Sequence, residues 1–106
     1  MTQALWEELS FFEQLSNIDG DVERLISSHE RYLLGQTKKD NSSFYLDNIL
    51  KLIEMTKMDS KNSNRSYFSV ELLDEVEEIK RYLNNECPAE YIRRYWNAYT
   101  NAISRT

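Results

Sequence analysis

Apolar side chains recur along this chain at spacings of three and four residues, separated by short polar stretches, and that period predicts helices. The clearest run is 69–83, where Leu72, Leu73, Val76, Ile79 and Leu83 form one stripe behind Ser69 as cap, with Tyr67 and Phe68 leading in as a hydrophobic staple. Thr2 caps a first helix running to about Asn17, with Leu5, Leu9 and Phe12 as its stripe and Trp6 and Leu15 on the flanks. Phe11 projects off that stripe, either covered by a second neighbour or open to a partner. Asn17-Ile18-Asp19-Gly20 reads as a turn. Asp19 or Asp21 then caps a second helix, Val22 to Leu34, closed by Gly35. Val22, Leu25, Ile26, His29, Tyr32 and Leu33 share its face.

Ser42 or Ser43 opens a third helix, to about Met58, on Leu46, Ile49, Leu50 and Ile53, widened by Phe44, Tyr45 and Leu52, with Met55 on the far, exposed side. Asn84-Asn85-Glu86 ends the 69–83 helix. Pro88 stands at the first position of a fifth, which reaches about Ser104 with Ile92, Trp96, Tyr99 and Ile103 inward and Ala89, Tyr95 and Ala102 beside them. Between these runs, Gln36–Asn41 carries no apolar residue, and Asp59–Ser66 reads as a loop of turn formers and charge with nothing to bury. With two glycines and one proline there is little material for tight turns and bulges. The expectation is an all-α fold, a compact antiparallel bundle of about five helices in a single domain spanning 1–106.

Charge narrows the function classes. The net charge of −5 and pI near 4.9 oppose general nucleic-acid binding, which needs a basic face, and oppose attraction to an anionic membrane. Apolar runs such as Tyr32-Leu33-Leu34 are too short for a membrane span or a signal-peptide core, and Met1-Thr2-Gln3-Ala4 carries no basic leader, so a cytoplasmic protein is expected. Cys87 is alone, which leaves neither an internal disulfide nor a cysteine metal site.

Catalytic patterns are missing. His29, the one histidine, sits within an apolar face and reads as a core residue bonded to a backbone carbonyl or a tyrosine rather than as a base or metal ligand. There is no Gly-x-Ser-x-Gly elbow, no phosphate-binding glycine loop and no paired Glu-x-x-His. Asn17–Glu23 lacks the alternating acids of a calcium loop. No enzyme activity, cofactor or metal is expected.

What remains is the polar side of 69–83. Glu71, Asp74 and Glu78 lie opposite its apolar stripe, with Glu75 and Glu77 at the boundaries, and several like-charge pairs each cost about 0.2–0.5 kcal/mol. An electropositive partner is one reason to keep such a face. The run Glu71-Leu72-Leu73-Asp74-Glu75-Val76-Glu77-Glu78, with the aromatics near it, resembles in size, charge and helix content the small helical immunity proteins of bacterial toxin systems, of the contact-dependent growth inhibition and bacteriocin types. The paired tyrosines of the immunity proteins against DNase bacteriocins are absent, Tyr95-Trp96 being a loose echo, which argues against a DNase target. The resemblance implies a cationic toxin as partner, a nuclease and by analogy an RNase, occluded through Glu71, Asp74, Glu75, Glu77 and Glu78, with Phe11, Tyr67 or Tyr91 as apolar anchor. It implies no direct contact with nucleic acid or membrane. A small helical adaptor or subunit is the alternative. A nucleic-acid mimic is the third reading, for which eighteen acids against thirteen bases are thin.

Overall fold

The computed structural model describes residues 1–104; the side chains of Ser66, Tyr67, Ser69, Tyr99, Thr100 and 102–104 lie outside the described part. The expected inward positions Tyr99 and Ile103, with Ala102 beside them, and the proposed anchor Tyr67 therefore fall outside the described residues. Among the described residues there are five α-helices: α1 (Gln3–Glu7), α2 (Phe11–Leu33), α3 (Ser42–Met58), α4 (Ser66–Leu83) and α5 (Ala89–Ser104), with a 3-10 turn at Ser60–Asn62. No strand occurs among the described residues, and the bundle measures 43 × 26 × 20 Å.

The all-α class is as expected, but the first third of the chain divides elsewhere. α1 ends at Glu7, and α2 starts at Phe11 behind a capping box: Ser10 Oγ accepts from the Glu13 backbone, and the Glu13 carboxylate accepts from the Ser10 backbone. α2 then runs unbroken through Asn17–Gly20. Phe11, Leu15, Ile18, Val22, Leu25 and His29 keep a three–four spacing across the expected turn, and all are buried. Burial of that stripe outweighs the roughly 1 kcal/mol that Gly20 costs a helix interior. The same break turns the first stripe over. Trp6 and Phe11 are the buried residues, while Leu5 and Phe12 are exposed.

α2 and α3 form the most extensive helix contact. Their cross-links run in opposite directions along the two helices, from Ser28 with Asn41, through Asp21 with Asn48, to Gln14 with Asp59, so the pair is antiparallel. Met55, expected outside, is buried; α1 docks over the end of α3, with Gln3 Nε2 donating to the Met55 carbonyl at 2.9 Å. Tyr32, Leu33 and Phe44 are exposed where the apolar reading placed them toward the core; Tyr32 and Leu33 lie in the last turn of α2 and Phe44 near the start of α3.

The segment read as a loop with nothing to bury holds a buried polar knot. Asp59 and Asn62 are both buried. Gln14 Nε2 donates to Asp59 Oδ2 at 2.8 Å and to the Trp6 carbonyl at 3.0 Å. Asn62 Nδ2 donates to Gln14 Oε1 at 3.0 Å and to the Thr56 carbonyl at 2.9 Å. Trp6 Nε1 donates to Thr56 Oγ1 at 2.9 Å. Lys61 Nζ is paired with Asp59 and also donates to the Glu7 carbonyl. α1, α2, α3 and the 3-10 turn are thus tied at one point. Arg65 lies 4.5 Å over the Phe11 ring, which meets Phe68 edge-on at 5.0 Å and links the knot to α4.

Candidate partner-binding face

α4 begins at Ser66, so Tyr67 and Phe68 belong to the helix rather than leading into it. Phe68, Leu72, Val76, Ile79 and Tyr82 face the core. The two aromatics at its ends turn the helix by roughly 60° from the expected stripe, by the 100° per residue of a 3.6-residue turn. Leu73 thereby moves out, to 47% exposed, and Glu75 moves in, to 3%. Glu75, expected at the margin of the exposed acidic arc, is a buried carboxylate.

The outward side of α4 that results is mixed. Val70 and Leu73 form an exposed apolar pair, framed by exposed Glu71, Asp74 and Glu77. Glu77 is bonded to Lys80 at 3.2 Å and Glu78 to Arg81 at 3.1 Å; Arg81 also approaches Glu86 at 3.6 Å. Such exposed pairs contribute little and exchange readily for partners on another molecule. Glu71 and Asp74 belong to no ion pair among the described residues. Tyr91 of α5 is 52% exposed, and the neighbouring Tyr95 is half-buried. Burial, followed by the charges of Glu71, Glu75 and Asp74, pushes the Tyr95 hydroxyl up to about 12, which places it beside the acidic edge of α4.

Of the sequence-predicted contact residues, Glu71, Asp74 and Glu77 are exposed on α4, Glu78 is half-buried, and Tyr91 is exposed on α5 one turn before Tyr95. Phe11 is not among them: at 5% exposed it is enclosed by Phe68 and Arg65. Val70 and Leu73 were missed. The apolar neighbours of Leu73 at helical spacing place it in the predicted stripe, and Val70 lies outside that stripe.

A second polar cluster sits at the α2–α3 connection. His29 Nδ1 is 2.8 Å from Asp40 Oδ2, and Asp40 Oδ1 accepts from the Ser42 backbone at 2.9 Å. Burial pushes the Asp40 carboxyl up, but the hydrogen bonds from His29 and Ser42 outweigh it and hold it below the usual aspartate range. The expected carbonyl or tyrosine partner of His29 is thus an aspartate; the Tyr82 ring packs edge-on at 5.2 Å. His29 Nε2 is buried with no hydrogen-bond partner among the described residues. The adjoining groove of about 520 Å³ is lined by Lys39, Asp40, Ser43, Phe44, Tyr45 and Asp47, without His29. The cluster fastens the connection to α2, where Ser28 Oγ also accepts from the Asn41 backbone at 3.0 Å.

Among the described residues, no group of three or more His, Cys, Asp or Glu side chains is placed to hold a metal, and no helix is long and apolar enough to cross a membrane. Comparison of the chain with protein families, curated proteins and solved structures finds no match.

Proposed function

We propose that this chain is an immunity protein that binds a secreted bacterial toxin with a cationic surface and neutralises it by covering the toxin's active-site region with α4. A nuclease is the target class whose basic cleft best complements the face, and an RNase is preferred by analogy. One observation carries the reading: the outward side of α4 sets an apolar centre, Val70 and Leu73, inside a carboxylate frame, Glu71, Asp74 and Glu77. Apolar contact at the centre supplies affinity once water is excluded, and the charged frame speeds encounter and rejects acidic surfaces. Like-charge crowding along the helix has no structural use in the described fold, since none of these three carboxylates is tied to another helix.

Growth arrest gives the test. Expressing the product of the gene directly upstream should stop cell growth, and this chain, co-expressed, should restore it. The Glu71→Lys, Asp74→Lys double variant should restore it at least tenfold less well. The alternative, a helical adaptor or subunit, draws on the apolar residues Leu33, Leu34 and Phe44 exposed at the α2–α3 end. Under that reading the chain self-associates in sedimentation and leaves any arrest untouched. That pair of results would overturn the inhibitor assignment.

A further inference from the structure

Along the edge of α4 that meets α5, Glu71, Glu75 and Glu78 follow one another at spacings of four and three, each about one turn from the next. The middle carboxylate differs from the outer two. Glu75 is 3% exposed, and its Oε1 has no hydrogen-bond partner among the described residues. A buried carboxylate oxygen with no donor is a costly feature unless something completes it.

No hydrogen bond among the described residues reaches that oxygen. On α4 itself, Glu78 acts on Glu75 with like charge, and Glu78 is the carboxylate that Arg81 engages. Across the seam on α5, Tyr95 stands against Glu71, Asp74 and Glu75, with Tyr91 behind it. In the connection, Cys87 lies near Glu78, Arg81, Glu75 and Glu86, and burial followed by Glu78 pushes its thiol up. α3, which also contacts α4, has the apolar Ile49, Leu52 and Ile53 among its buried residues. Burial, then the charge of Glu78, pushes the Glu75 carboxyl up to about 7. Its surroundings therefore leave the carboxyl partly protonated at neutral pH when no cation is present.

We propose that Glu75 links docking on α4 to proton release: it carries a proton while the face is free and gives it to solvent when a cationic side chain of the partner settles between Glu71 and Glu78. This rests on the assignment of α4 as the docking face for a cationic partner. A positive charge one helical turn from Glu75 stabilises its ionised form through a partly dry medium. Partner affinity then rises with pH across the neutral range.

The probe is hexa-arginine with blocked ends, which has no group titrating between pH 6 and 8. Carboxyl-carbon NMR of the full chain should show Glu75 titrating near neutrality, with its midpoint falling by about one to two pH units on saturation with peptide. Calorimetric titration at pH 6.5 in two buffers of different ionisation enthalpy should count about half a proton released per peptide. Affinity should rise roughly five- to tenfold from pH 6 to pH 8, and the slope should vanish in Glu75→Gln. If the peptide binds while the Glu75 midpoint and the proton count stay fixed, or if Glu75→Gln keeps the full slope, proton linkage is wrong and the docking face stands. If the peptide fails to bind at low salt, or binds the Glu71→Lys, Asp74→Lys variant as tightly as the parent, both fall together.

Discussion

Asp59 and Glu75 are buried to the same degree, each 3% exposed, and they sit in opposite electrostatic states. Asp59 lies in the knot between α1, α2 and α3. Burial pushes its carboxyl up, but hydrogen bonds from Lys61 and Gln14 outweigh that and hold it below the ordinary aspartate value. Glu75 lies on the α4–α5 seam, where burial and the charge of Glu78 act in the same direction and raise it to about 7. Depth alone therefore does not decide whether a carboxylate keeps its charge. Donors aimed at its oxygens do. The half of the bundle containing Asp59 is polar inside and closed. On the α4–α5 side, Glu75 Oε1 has no donor among the described residues, next to the face proposed to bind.

The largest test of that contrast removes the answered carboxylate. Asp59→Ala strips the acceptor from Lys61 and Gln14 and deletes the side-chain cap of the 3-10 turn, where Asp59 Oδ1 accepts from the Lys61 backbone. The expected loss is about 3 kcal/mol at pH 7, read by urea unfolding. Because the folded carboxyl titrates below its ordinary 3.8, its contribution is complete above that value and disappears as pH falls through the folded one. The gap between parent and variant should narrow in strong acid, where the part of the effect that depends on the ionised carboxylate is gone. A loss below about 1 kcal/mol at pH 7 would mean that the knot does not hold the helices together.

Removing the unanswered carboxylate should do the reverse. Glu75 titrates above its ordinary 4.5, so its protonated form favours the fold below that value, and stability declines as pH rises from there to about 7. Glu75→Gln keeps the shape and cannot ionise. It should match the parent at pH 4 and exceed it by about 2 kcal/mol at pH 8, read from urea midpoints. Equal midpoints at both pH values would show that the ionised carboxylate is comfortable where it lies. The contrast with Asp59 would then lose its physical basis.

The sequence carried these two regions unequally. Helical class and the inward Leu72, Val76 and Ile79 follow from a period of 3.6 and survive in the structure. The start of α2 was also legible, in Ser10 with Glu13 three residues on, but Asn17-Ile18-Asp19-Gly20 offered stronger local turn chemistry and drew the boundary there. The spacing 11, 15, 18, 22, 25, 29, continuous across that point, outweighs it. The knot was not legible. Asp59 and Asn62 go inside because Gln14, 45 and 48 residues away, supplies their partners, and no local pattern encodes a contact at that range. Glu75 lay between these cases. Its place beside the stripe was visible, but the turn of the helix that buries it depends on Phe68 and Tyr82 finding the core together.

The smallest stability effect bears on the exposed side of the same helix. Asp74 stands one turn from Glu71, Glu77 and Glu78, all acidic, and joins no ion pair among the described residues. Asp74→Lys replaces three like-charge relations with three opposite ones. The expected gain is about 1 kcal/mol in low salt, shrinking as salt is added. Blocked hexa-arginine should bind the variant at least fivefold more weakly under the same conditions. The two measurements move in opposite directions only if the charge on this face is kept for a partner at the expense of the helix. If Asp74→Lys destabilises the chain, the carboxylate has an intramolecular role after all, and the exposed face of α4 joins Asp59, not Glu75, as a part of what holds the bundle.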